Sequence, residues 1–377
     1  MSTIGFQTYN PDVTLNFMSN RMAGDIDPDE LRVFAADITG IDGWIEAALS
    51  AADQAESEGR WREAGSYFRG AEFFMPPDHP RKTEAYERYM DLFARVHPEV
   101  SALRAEAAYG DQSLSLIDIP AEGNEKDVIL ACSGFDGLIE EMYAGMLDLS
   151  AAGYRVVLYE GPGQGAALRR SHMPMDHQWE KAVTAILDHL QVESCTLLGV
   201  SLGGYLAPRA AAFETRVTRL IAWGAMYEFI DCWRPRMGDE AFAGLMGLVD
   251  AGEKDVINEL LTAAMADNPT TQWSITHGIH TCGGETPYDF LSWARKLHLK
   301  DISEQITQDT LILAGSRDHL VPSTQLWEQA AALENARSVT VRLFTEHEKA
   351  AEHCQVTNRA VVTREILSWF DRLDARG

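Results

Sequence analysis

The segment Gly199-Val200-Ser201-Leu202-Gly203-Gly204 lies between an apolar run, Thr196-Leu197-Leu198, and an alanine-rich stretch with helical spacing. A chain passes this abruptly from a buried strand into a helix only by forcing the residue at the turn into strained backbone angles. Glycine on either side removes the Cβ atoms that would otherwise collide. Ser201 is then held exposed at the start of a helix, whose dipole favours developing negative charge. The turn makes Ser201 a candidate nucleophile and commits this part of the chain to a strand–turn–helix unit.

The surrounding pattern agrees. Short apolar runs at 127–132, 155–159, 195–199, 217–223, 310–314 and 338–344 read as strands. Helical spacing falls near 141–151, 178–190, 202–213, 324–332 and 355–373. Alternation of this kind predicts a mostly parallel sheet covered by helices on both faces, an α/β fold. Residues 100–109 and 113–118, joined at Gly110-Asp111, read as a hairpin ahead of it. Residues 28–96 are helical throughout, beginning at the Asp27-Pro28-Asp29-Glu30 cap. The interval 225–308 is far longer than a crossover needs and reads as several helices forming a cap. The expected organisation is an N-terminal helical domain over 1–98, a core over 99–224 and 309–377, and a cap over 225–308.

Lys+Arg number 32 against Asp+Glu 57, a formal charge of −25. An acidic chain without a basic stripe is a poor partner for nucleic acid or an anionic membrane surface. It also favours a neutral or weakly charged small-molecule substrate over a polyanion. Met1 to Asn10 shows no basic stretch followed by an apolar run, and the five cysteines form no CxxC pair. A cytoplasmic protein with free thiols is the expectation. Apolar stripes on the N-terminal helices suit either internal docking or a homodimer.

A serine needs a base to take its proton and a carboxylate to orient that base. Asp318 follows the run 310–314, in the loop Gly315-Ser316-Arg317-Asp318-His319, and is the candidate acid; Glu228 is the reserve. Two histidines compete for the base. His347 stands between Glu346 and Glu348, as in a solvated loop, whereas His353 directly precedes the last amphipathic helix; the reading favours His353. Backbone N–H groups of Leu202, and of Phe135 in the loop Ser133-Gly134-Phe135-Asp136-Gly137, are the candidate oxyanion donors. Asp136, Trp223, Met226, Tyr227 and Glu228 are the candidate pocket residues, though large apolar residues so close together are more often cap packing.

Two further motifs carry less. Gly161-Pro162-Gly163-Gln164-Gly165 has the look of a nucleotide loop, but no helix pattern opens directly at its end and no acid follows at the ribose position. His277, His280 and Cys282 meet neither Cys₂His₂ nor HExxH spacing and read as a turn in the cap. No metal and no cofactor are expected.

Taken together, Ser133–Gly137, Glu160–Gly165, Gly199–Gly204 and Glu352-His353-Cys354-Gln355 resemble the α/β-hydrolase superfamily. The narrower resemblance is to its subgroup with an N-terminal helical domain, which includes 2,6-dihydroxypseudooxynicotine hydrolase and fungal hydrolases that shorten polyketide precursors. Those relatives usually carry Gly-Gly and Asp-Gly-Pro-Gly-Gln-Gly, so Ser133 and Glu160, the latter in what reads as a sheet-edge turn, depart from the pattern. The resemblance supports Ser201, Asp318 and His353 as a triad. It implies carbon–carbon cleavage beside a ketone, in a pocket closed jointly by the N-terminal helices and the cap; ester, thioester or amide cleavage would use the same residues. Acyl transfer or cyclisation on the same triad, or a catalytically silent binding protein, are the alternatives.

Overall fold

The computed structural model describes residues 5–376, so the first four residues of the expected N-terminal domain, and Gly377, lie outside it. Eight strands form one sheet: β1 (Arg104–Tyr109), β2 (Gln112–Ile119), β3 (Asp127–Cys132), β4 (Tyr154–Tyr159), β5 (Cys195–Val200), β6 (Val217–Trp223), β7 (Asp309–Gly315) and β8 (Ser338–Phe344). Their order is β1-β2-β4-β3-β5-β6-β7-β8. The β1–β2 and β2–β4 pairs are antiparallel, and every pair from β4 to β8 is parallel. β3, β5 and β7 are almost wholly buried because helices cover both faces, which is why they read as continuous apolar runs.

The boundaries differ in instructive ways. Residues 98–102 form a 3₁₀ turn rather than the start of β1, because Pro98 has no N–H to give to a ladder. Gly165–Arg169 is a short helix opening directly after the Gly161–Gly165 turn, which the sequence had not suggested. That turn follows β4, which lies inside the sheet between β2 and β3, so it is not at a sheet edge.

Among the described residues five α-helices precede the sheet, Val13–Met22, Pro28–Ala35, Gly40–Ser57, Trp61–Phe74 and Lys82–Val96. The first has no clear amphipathic stripe because its polar residues are also buried. Asn16 Oδ1 accepts from the Tyr9 and Asn10 N–H groups, and Asn20 Nδ2 donates to the Asn16 carbonyl. These helices dock on the core partly through buried ion pairs. Glu72, fully buried, takes Arg69, Lys82 and Arg169, while Glu141 takes Arg21 and Arg69. Removing one partner from such a network leaves an uncompensated buried charge, at a cost of about 3–5 kcal/mol.

Between β6 and β7 come the helices Asp239–Ala251, Lys254–Asp267, Pro269–Cys282 and Pro287–Ala294. Trp273 stacks on Phe73 and its indole donates to the Phe73 carbonyl, tying this insertion to the N-terminal helices. Among the described residues no helix is long and apolar enough to cross a membrane. All five cysteines are free thiols.

Candidate active site

Ser201 follows β5 and has φ +62°, the strained conformation that the flanking glycines were read to permit. A Cβ on Gly199 would lie 1.9 Å from the Gly203 carbonyl oxygen, so no other residue fits there. The Ser201 N–H donates to the Trp223 carbonyl at 2.7 Å, which anchors the turn to the end of β6.

His353 Nε2 lies 2.9 Å from Ser201 Oγ, and His353 Nδ1 lies 2.7 Å from Asp318 Oδ2. The acid is itself fixed, since its Oδ1 accepts the N–H groups of Leu320 and Val321. Both side chains are buried. Burial works against the charged imidazole, but the Asp318 carboxylate and the adjoining Cys354 together outweigh it and hold the His353 pKa well above the ordinary histidine value. Burial likewise opposes the Asp318 carboxylate, and His353 draws its pKa below the usual range. His347, the competitor, is exposed on a 3₁₀ turn of its own at Glu346–Glu348.

The loop after β3 meets Ser201 closely: a Cβ on Gly134 would lie 2.6 Å from the Leu202 nitrogen. All five carbonyls of this loop are tied by side chains. Gln164 Nε2 donates to the Ser133 and Gly134 carbonyls at 2.8 Å each. Burial pushes the His277 pKa down to about 3, so its ring is neutral, and its Nε2–H donates to the Phe135 carbonyl at 2.8 Å. Arg69 Nη2 donates to the Asp136 carbonyl and Ser133 Oγ to the Gly137 carbonyl. The Phe135 and Leu202 N–H groups have no acceptor among the described residues and remain available for an oxyanion.

Ser201 and His353 line a cleft of about 780 Å³, part of it open to solvent. Phe17 and Arg21 come to it from the N-terminal helices, and Met142, Met146, Trp223, Cys354, Val356 and Arg359 from the core. Asp136 is at its edge, paired with Arg21 at 2.8 Å. Three of the expected pocket residues are not there. Met226 is buried against Cys232, the Tyr227 and Glu228 N–H groups are bound by Gln325, and the Glu228 carboxylate pairs with Lys300 at 2.6 Å. The cause is the backbone after β6, where Gly224 and Ala225 both have positive φ and turn the chain away. Glu228 is therefore not an acid for His353.

No residue from 225–308 lines the cleft, so the expected joint closure is half right. The insertion instead backs the Phe135 side chain with Phe229, Trp273, His277, Phe290 and Trp293. His277, His280 and Cys282 lie on the helix Pro269–Cys282, not in a turn. His280 faces a separate cavity beside Lys82, and no described group of three or more His, Cys, Asp or Glu side chains is arranged to hold a metal. Gln164, His277, Arg21 and Arg359 escaped the sequence reading. Gln164 and His277 sat in the two motifs set aside, and Arg359 opens a helix with no motif of its own.

A family model described as the alpha/beta hydrolase family matches residues 128–357. Among curated proteins, the chain is 29% identical to the hydrolase LUC6 of a Fusarium species over 87% of this chain and 86% of the relative. It is 29% identical to 20-hydroxy-prefusarin hydrolase FUS2 of Gibberella moniliformis, over 86% and 83%. It is 27% identical to the hydrolase acrC of Aspergillus aculeatus, over 76% and 73%. Among solved structures, 2,6-dihydroxy-pseudo-oxynicotine hydrolase superposes with a TM-score of 0.62 at 19% identity, covering 94% of this chain and 93% of that one. AbyA5 gives the same TM-score at 18% identity, covering 92% and 86%.

Proposed function

The chain belongs to the alpha/beta hydrolase family, and from that premise we propose that it is a serine hydrolase working through Ser201, His353 and Asp318. The observation that carries the reading is the unbroken chain of contacts from Ser201 Oγ through both ring nitrogens of His353 to Asp318 Oδ2. Ser201 Oγ attacks a substrate carbonyl while its proton passes to His353 Nε2. Asp318 holds the ring in the needed tautomer and stabilises the imidazolium. The Phe135 and Leu202 N–H groups receive the negative oxygen of the tetrahedral adduct. Collapse breaks the bond to the leaving group, which takes the proton from His353. Water, deprotonated by His353, then hydrolyses the acyl-enzyme.

The leaving group is either an alcohol, from an ester, or an enolate-like carbon, from a carbon–carbon bond beside a ketone. The substrate is small and polyketide-like. Kinship with hydrolases such as the one named for 20-hydroxy-prefusarin supports this class, as does a cleft with apolar walls at Phe17, Met142, Met146 and Trp223. A product-resolved screen of aryl esters beside aromatic 1,3-diketones tests it. Acid products from either series, absent in Ser201→Ala, are expected; no product from both series would count against the class.

A further inference from the structure

Arg359 opens the helix Arg359–Asp374 and lines the same cleft as Ser201. Its Nη1 donates to the Glu141 carbonyl at 3.0 Å, the guanidinium's one hydrogen bond among the described residues. No described carboxylate lies within ion-pair distance of it. The other buried cations on this side all have one: Arg21 meets Asp136 and Glu141, Arg69 meets Glu72 and Glu141, and Lys82 and Arg169 meet Glu72. Glu141 cannot serve Arg359 as well, because Arg21 takes its Oε1, and Arg69 and the Leu138 N–H take its Oε2.

A guanidinium carries five N–H donors in a planar fork and keeps its charge. Burial opposes that charge here; the Glu141 carboxylate offsets part of the penalty from a distance, and Arg21 adds to it. A cation with no carboxylate in direct contact at the wall of a cleft gains when an anion arrives, and the fork matches a carboxylate with two parallel bonds. The neighbouring wall is apolar, formed by Met142, Met146 and Val356. We propose that Arg359 binds a carboxylate on the non-reacting end of the substrate, so that this site takes a monoanionic acid with an apolar body. The proposal rests on the reading of the cleft as the active site. It gives the −25 chain one local exception, a place where a single negative charge is favoured.

The test is calorimetric titration of the full chain with 4-phenylbutanoate and with its neutral isostere 4-phenylbutanamide. The carboxylate is expected to bind at least tenfold tighter, about 1.4 kcal/mol. In Arg359→Met that preference is expected to fall below twofold. Arg359→Lys, which keeps the charge but loses the fork, is expected to retain an intermediate preference. No binding, equal affinities in the unmodified protein, or an unchanged preference in either variant would overturn the proposal. Fluorophosphonate labelling of Ser201 in the unmodified protein separates the two readings. Labelling without carboxylate preference sinks the anion site alone, whereas preference without labelling sinks the serine-hydrolase reading alone.

Discussion

The neutral imidazole of His277 donates to the carbonyl of Phe135 at 2.8 Å, reaching from the inserted helices to the loop beside Ser201. With Gln164, Arg69 and Ser133 holding the other carbonyls, it fixes which way the backbone of Ser133–Gly137 faces. The loop has no regular structure to hold it, so these side chains set the direction of the Phe135 N–H. An error of about 1 Å in such a donor costs on the order of 10²-fold in rate.

His277→Phe keeps the apolar packing and removes the donor, and Gln164→Leu does the same for the Ser133 and Gly134 carbonyls. Each is expected to lower kcat about 10–100-fold while KM changes far less, because the oxyanion forms only after substrate is bound. Steady-state kinetics on an ester substrate measure this. Values of kcat within twofold of the unmodified enzyme for both variants would show that the loop holds its direction without them.

Asp318 raises the His353 pKa well above the ordinary value near 6.5, against the effect of burial. Activity needs the neutral base, so kcat/KM is expected to climb with pH along a limb centred above that value. In Asp318→Asn the charge that favours the imidazolium is gone and burial remains, so the limb moves to lower pH. The rate falls about 10³–10⁴-fold with the loss of the correct tautomer. His347→Ala is expected to leave the profile where it was. A limb that stays put or rises in Asp318→Asn would contradict the pairing.

Glu160 directly follows β4 and is buried. Burial, then the nearby Glu140 carboxylate, pushes its pKa up to about 7. One of its oxygens accepts the Ala166 N–H, and the other is buried without a partner among the described residues. Between about pH 4.5 and 7 the folded protein holds a proton that the unfolded chain has released, so stability falls as pH rises through that window and stays lower above it. Glu160→Gln is expected to be more stable than the unmodified protein at pH 8, by about 1–3 kcal/mol, and nearly equal to it at pH 5. Thermal unfolding at the two pH values checks this; equal gains at both would show that ionisation is not the cause.

The parts legible in the sequence were those whose signals are local. The Ser201 turn needs its glycines within a few residues, and Asp318 sits just after the buried β7 and His353 in the loop between β8 and the last helix, where the chain order of such sites puts them. What escaped depended on distant partners. Gln164 acts on carbonyls about 30 residues earlier and His277 on one 142 residues earlier, and neither spacing leaves a pattern. The helix Val13–Met22, which brings Phe17 and Arg21 to the cleft, is buried on its polar side as well, so it lacks a clear amphipathic stripe. Met226, Tyr227 and Glu228 stayed pocket candidates because position alone put them just after β6; the two positive-φ residues that turn them aside leave no sequence pattern.

The central claim is that Ser201 is a nucleophile activated by His353. Intact-mass spectrometry after brief exposure to a fluorophosphonate measures this directly. The account predicts one adduct, mapped to Ser201, forming at least 100-fold more slowly in His353→Ala and absent in a folded Ser201→Ala. An unlabelled native protein, or an adduct that persists in Ser201→Ala, would contradict it.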